Sequence, residues 1–365
     1  MIDTVLTAET QGALAALDLF ERGQTSEALE ALESCPPSPE RLLVQGAILA
    51  LERPDEAKDM LSEAFRFLAG ETACKAQIWL SCCYWSIGEI NEARDVIDRV
   101  RPETNAVKFL LGSTRAAFEI ENPEYALSLL VAVESYADEV NPFWRGKFFN
   151  QRGAILRRLG ELDRAIITYE EARMCFEEAE NPRALAGASS NLARALADQG
   201  EFAQAHGVID KAIDSLVSIG DNVYLAQAYD QKASILLAQK RYIEALETSP
   251  KAIVLLKDRQ QKELLARALL TEADALTKLG QFAEAFLRLE RAVKTANHLD
   301  NRDLQFDALS GRKQFASALL RESDRALIKN ALKGRSYRAA AKKIGISHAL
   351  LFKWMDKYKI KRKPK

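Results

Sequence analysis

The chain has 365 residues, 48% hydrophobic and 28% charged, and its 51 Lys/Arg against 52 Asp/Glu leave a net charge of −1. That length suits two or more domains or one extended array, and the apolar content excludes a mostly disordered polypeptide. No window of about 18 residues is free of charge and Met1–Gly12 lacks a basic start and an apolar run, which excludes a membrane span and a signal peptide and leads us to expect a cytoplasmic protein.

From the N-terminus the chain is punctuated by pairs of residues five apart: Gly23 with Ala28, Glu52 with Ala57, Gly88 with Ala93, and Glu121 with Ala126. The pattern then becomes strict. Ala165, Ala205, Ala245 and Ala285 recur every 40 residues, Ala172, Ala212, Ala252 and Ala292 follow each by seven, and Gly160, Gly200, Lys240 and Gly280 precede each by five. Each unit reads as helix, turn, helix, and eight such hairpins are expected over residues 1–300. Loop punctuation agrees: Cys35-Pro36-Pro37-Ser38-Pro39, Pro102, Asn122-Pro123, Asn141-Pro142 and Asn181-Pro182 fall mostly at predicted helix ends. Pro250 falls inside one, which predicts a kink or a late helix start between about Leu246 and Pro250. The five cysteines, Cys35, Cys74, Cys82, Cys83 and Cys175, are odd in number and form no C-x-x-C, as expected of reduced thiols in a helical core.

These residues resemble the tetratricopeptide repeat, with small residues at Gly153, Ala193, Ala233 and Ala273 in the first helices and at the alanines above in the second. The usual period is 34, so a constant 40 implies longer helices or loops. The resemblance implies an all-α superhelix of hairpins with a concave side suited to a peptide or another protein. In that register Asn150, Arg157, Arg158, Asn191 and Arg194 face the groove, where asparagine and arginine hold backbone amides and carboxylates. The likeness to carboxylate-clamp repeats is partial: Asn191 fits, while Asn150 and Ala154 stand where a lysine and a second asparagine are usual. Catalysis is not expected. The three histidines, His206, His298 and His348, are scattered, and the chain holds no HExxH, nucleophile elbow, Walker loop or glycine-rich phosphate cradle, so no metal or cofactor is expected.

Beyond the repeats, Arg302 to Glu322 reads as an amphipathic helix that caps the array or pairs two copies, and Asp324 to Lys333, capped by Ser323, as the first helix of a C-terminal domain over 323–365. Tyr337 to Ile344 then forms a helix with Ser336 as N-cap, Gly345 ends it, and Ser347 caps another from about His348 to Lys359. In the last helix Leu351, Met355 and Tyr358 form one buried stripe and leave His348, Ala349, Phe352 and Lys353 outward, which is helix-turn-helix geometry. Ala340-Ala341, Gly345-Ile346-Ser347, Leu351, Lys353, Met355 and Lys357-Tyr358-Lys359-Ile360 resemble the Fis family of DNA-binding domains, including those ending NtrC-type activators. The resemblance implies double-stranded DNA as partner, with Ser347, His348 and Lys353 at DNA-contacting positions and the opening of the preceding helix, Arg335 to Arg338, near phosphate. Departures from the pattern lie at His348, where arginine is common, at Phe352 and Trp354, where the Fis protein is basic, and in one extra residue between Gly334 and the alanine pair.

Charge points the same way. Residues 323–365 hold fourteen Lys/Arg against Asp324 and Asp356, a net of +12, so residues 1–322 carry 37 basic and 50 acidic side chains, a net of −13. The expected function is therefore a DNA-binding transcription regulator, nucleoid-associated when bound, whose array receives a peptide or protein signal. A homodimer would read two half-sites with Ser347, His348, Ala349, Phe352 and Lys353 at base edges. Arg335, Ser336, Arg338, Lys342, Lys343, Lys361, Arg362 and Lys363 would then lie at phosphate. The competing expectation is a non-enzymatic adaptor whose basic end docks to an acidic protein surface.

Overall fold

Small residues at fixed spacing let helices approach closely, and eight antiparallel hairpins result. The computed structural model describes residues 8–50, 53–119, 122–257, 261–297, 302–333, 336–343 and 347–360. The first four hairpins are α1 (Ala8–Glu21) with α2 (Thr25–Glu33), α3 (Pro39–Leu49) with α4 (Pro54–Phe65), α5 (Gly70–Ile87) with α6 (Ile90–Asp98), and α7 (Asn105–Phe118) with α8 (Pro123–Val131). After a 3₁₀ segment, Glu134–Glu139, come α9 (Pro142–Arg158) with α10 (Leu162–Glu178), α11 (Pro182–Gln199) with α12 (Phe202–Ile219), α13 (Asn222–Ala238) with α14 (Tyr242–Leu256), and α15 (Lys262–Leu279) with α16 (Phe282–Asn297). Three more helices follow, α17 (Arg302–Leu332), α18 (Tyr337–Lys343) and α19 (His348–Lys357).

Capping explains where the helices begin. Side chains of Ser38, Asn122, Asn141 and Asn181 each accept a backbone N–H three residues on, and Pro39, Pro123, Pro142 and Pro182 occupy the first helical position, where a missing N–H costs nothing. The turns within hairpins use left-handed backbone at Gly160, Gly200 and Gly280 (φ 78°, 96° and 78°), and Lys240 is forced into the same conformation at φ 63°. An L side chain there costs about 1–2 kcal/mol, so Lys240→Gly is expected to stabilise the array by about 1 kcal/mol once the added freedom of the unfolded chain is subtracted. Gly200→Ala should cost a similar amount through backbone strain alone, since its Cβ would meet nothing within 4 Å. Urea unfolding of both variants checks the pair; equal midpoints would show that this turn adapts freely.

The repeated alanines are the closest contacts. Ala165, Ala205, Ala245 and Ala285 are fully buried, as are Ala28, Ala57, Ala93 and Ala126 upstream; their partners Glu52 and Glu121 lie outside the described residues. At Gly153 a Cβ would stand 2.8 Å from the ring of buried Tyr169, so only glycine lets α9 and α10 meet as they do.

Of the two alternatives at Pro250, the late start does not occur: helix α14 begins at Tyr242 and carries Pro250 in its interior, where packing on α13 and α15 holds the helix around one missing N–H. One expectation is corrected. Helix α17 runs unbroken through Ser323, which caps nothing: with no glycine or proline near 322, nothing in the sequence stops the helix. Its first part packs on α15 and α16 and its last part on α18 and α19.

The superhelix winds tightly enough for non-neighbouring hairpins to meet. Helix α15 touches α5, and the end of α1 bonds to the starts of α9 and α11. The C-terminal unit has its own core of Ile328, Ala340, Ala341, Leu351 and Met355. Tyr358 packs half-buried against that core, as expected of the stripe with Leu351 and Met355, and its hydroxyl donates to Asp324 Oδ2 at 2.5 Å, tying the last helix to α17. Among the described residues no helix is long and apolar enough to cross a membrane.

Candidate functional site: a central cavity and a basic helical unit

Because α1 returns to α9 and α11, a partly open cavity of about 420 Å³ forms between these helices and α5, α7 and α13. The closure is specific. Glu21 is buried at the end of α1 and accepts from Trp144 Nε1 at 2.8 Å and from Asn141 Nδ2, while Asn181 Nδ2 donates to the Glu21 carbonyl at 3.0 Å. Asn141 and Asn181 also cap α9 and α11, so two N-cap residues double as latches. Burial pushes the Glu21 carboxyl up from its ordinary value, against the opposing pull of Lys75, Trp144 and Asn141.

The cavity floor is aromatic and carries one cation. Lys147 Nζ lies 4.7 Å from the Trp144 ring centroid, 4.8 Å from Trp79 and 5.5 Å from Phe143. Burial draws its ammonium pKa down, while nearby Cys82 and Glu21 pull it back up. Arg183 also lines the cavity, but its guanidinium is paired with Asp221, the cap of α13, and stacks over Tyr224. The amide of Gln151 reaches the cavity with its Nε2 buried and unbonded.

Of the expected groove residues, Asn150 and Asn191 line this cavity and bond to each other, Asn191 Nδ2 to Asn150 Oδ1 at 3.0 Å. Gln231 Nε2 continues the ladder to Asn191 Oδ1 at 3.2 Å, so three successive hairpins offer side-chain amides in a row. The arginines are placed otherwise. Arg157 and Arg194 both bind Asp198, at 2.7 and 3.2 Å, and Arg158 is exposed outside the cavity. Arg194 instead lines a second cavity of about 320 Å³ with Asp230 and Arg267, where burial raises the Asp230 carboxyl. Lys147, Trp79, Trp144, Glu21 and Gln151 were not singled out from sequence; the available signal was Phe143-Trp144-Arg145-Gly146-Lys147-Phe148-Phe149, four large aromatics and two cations in a first helix.

In the C-terminal unit Ser347 caps α19 by accepting from Leu350 N at 3.1 Å, and Ser336 accepts from Ala339 N at 3.3 Å. His348, Ala349 and Lys353 are exposed on α19, and Arg338, Lys342 and Lys343 on α18. Phe352 is not freely outward: it is half-buried, with its ring 5.2 Å from Tyr337 and 4.6 Å from His348. Arg335, Gly345, Ile346, Lys361, Arg362 and Lys363 lie outside the described residues.

No protein-family model and no curated protein matches this chain. Solved structures do match. A Rap protein complexed with competence and sporulation factor superposes with a TM-score of 0.60 at 12% identity, over 87% of this chain and 96% of that one. NprR in complex with its cognate peptide NprX gives 0.56 at 14%, over 87% and 98%. The apo form of the quorum sensor NprR from B. thuringiensis gives 0.50 at 15%, over 87% and 94%. At these identities the likeness shows the fold: the chain is a tetratricopeptide-like helical superhelix.

Proposed function

We propose that this chain is a peptide-responsive regulator whose central cavity takes an extended peptide and whose C-terminal three-helix unit binds double-stranded DNA. The observation that carries the reading is the pairing of a partly open, amide-bearing cavity in the repeat array with a separate small core from which exposed cations project, joined to that array by α17. The Rap and NprR structures it resembles are described with a bound factor or peptide, which supports the peptide half. Basic composition and the Fis-like residues support the DNA half. Leu309, Leu320 and Leu327 form one exposed stripe on α17, and this stripe is the surface assigned to pairing two copies over two half-sites. The protein acts by binding, not by catalysis.

Selection of bound sequences from a random duplex pool, with the full chain at near-physiological salt, tests the DNA half. A palindromic consensus is expected. Enrichment of no sequence by folded protein would instead favour a basic end that docks to an acidic protein surface. Cutting the chain at 323 would sever α17, so the full chain is the proper probe.

A further inference from the structure

We infer that the central cavity takes the free C-terminal carboxylate of a short peptide ending in an apolar residue, held by Lys147 Nζ and Gln151 Nε2. This deepens the peptide-binding reading and rests on it.

Lys147 is a cation set against three aromatic rings, and among the described residues no carboxylate or carbonyl oxygen bonds it. The nearby acid, Glu21, is already engaged by Trp144 and Asn141. Gln151 follows Lys147 by four residues on α9, so both side chains stand on one helical face, and its Nε2 is buried without an acceptor. Two donors without acceptors on one wall define an acceptor-shaped deficit, and a carboxylate fills it by accepting from both. Arg183 does not compete, because Asp221 neutralises it.

The choice of a chain terminus follows from what lies beside the pair. Asn150 adjoins Gln151 in sequence and starts the amide ladder through Asn191 to Gln231. Side-chain amides spaced one hairpin apart suit the alternating N–H and C=O groups of an extended backbone leading away from Lys147. Around the floor, Ile78, Leu110, Phe118 and Phe176 supply apolar wall for a terminal side chain. The volume of about 420 Å³ falls in the range of about 300–1,000 Å³ typical of ligand pockets, which suits a few residues rather than a folded partner.

The experiment uses the full chain and two random heptapeptide libraries, identical but for a free or amidated C-terminus. Selected peptides are resynthesised in both forms and titrated against parent, Lys147→Met and Lys147→Arg proteins, with the fluorescence of Trp79 and Trp144 as readout. Methionine keeps an apolar stem on the rings without the charge. We expect the free-acid library alone to enrich, amidation to weaken binding to the parent at least tenfold, and Lys147→Met to bind acid and amide alike; Lys147→Arg should retain a preference for the acid. Melting of ligand-free protein gives an independent check: Lys147→Met should melt higher, because a partly desolvated ammonium that only ring faces contact is removed. Equal binding of acid and amide by the parent overturns the inference while leaving the peptide reading in place, as does Lys147-dependent binding that follows an internal Asp or Glu. Enrichment from neither library by folded protein overturns the peptide reading itself.

Discussion

An Arg338→Gln, Lys342→Gln, Lys343→Gln variant is expected to bind duplex DNA about 500-fold more weakly than the parent at about 0.1 M salt, and to lower the slope of log K against log salt by about 2.7. The three side chains are exposed on α18, outside the core of Ala340, Ala341, Ile328, Leu351 and Met355. Each cation placed on a phosphate releases about 0.9 of a condensed counterion, and at 0.1 M that is worth about 0.9 log units, so three contacts give the quoted loss. Stability should change little, since exposed substitutions away from caps and cores fall within about 0.5 kcal/mol. One further variant separates electrostatics from readout. Lys353→Ala, on the exposed face of α19, should narrow the gap between preferred and random DNA more than it changes the salt slope. A slope unmoved in the triple variant would take α18 out of the interface and leave the sequence-derived docking without its phosphate anchors.

How far the sequence carried this reading varied with the range of the interaction. Hairpin count, turn positions and buried alanines were legible because each is decided within one repeat: a glycine in left-handed backbone, an asparagine cap before proline, an alanine where two helices touch. The unbroken α17 was not legible, because Ser323 has the residue type of a cap but no breaker precedes it, and packing on both flanks keeps the helix continuous. The groove was half legible. Period and register placed Asn150 and Asn191 on the inner face, yet they could not show that Asp198, also on α11, would occupy Arg157 and Arg194. Nor could any local pattern show that Glu21 meets Trp144, a contact spanning 123 residues. Phe352 illustrates the same limit at short range: its helical position faces outward, but Tyr337 on the neighbouring helix covers it.

Replacing Glu21 with alanine is expected to destabilise the array by about 2–3 kcal/mol and to weaken cavity ligands together with it. Hydrogen bonds to a charged group are worth about 1.5–3 kcal/mol each, and two are lost here, from Trp144 Nε1 and Asn141 Nδ2; relief from burying the carboxylate offsets part of the loss. The structural consequence is larger than the energy, because these bonds hold α1 on α9, and Phe20, Gly23 and Thr25 from the first hairpin wall the cavity. Released α1 amides should exchange hydrogen faster in the variant than those of α11 or α13. The carboxyl also gives the contact a pH signature. Its folded pKa is raised above 4.5, chiefly by burial, so between 4.5 and the folded value the native state binds more protons than the unfolded one. The protonation-linked part of its contribution is therefore fully present below 4.5 and is lost as pH rises through the folded pKa, while the bonds from Trp144 and Asn141 persist to the carboxylate. Urea unfolding across that window should fall with pH more steeply in the parent than in Glu21→Ala. Parallel curves, with α1 exchange unchanged, would mean that the first hairpin stays in place without its latch and that the cavity is closed by packing alone.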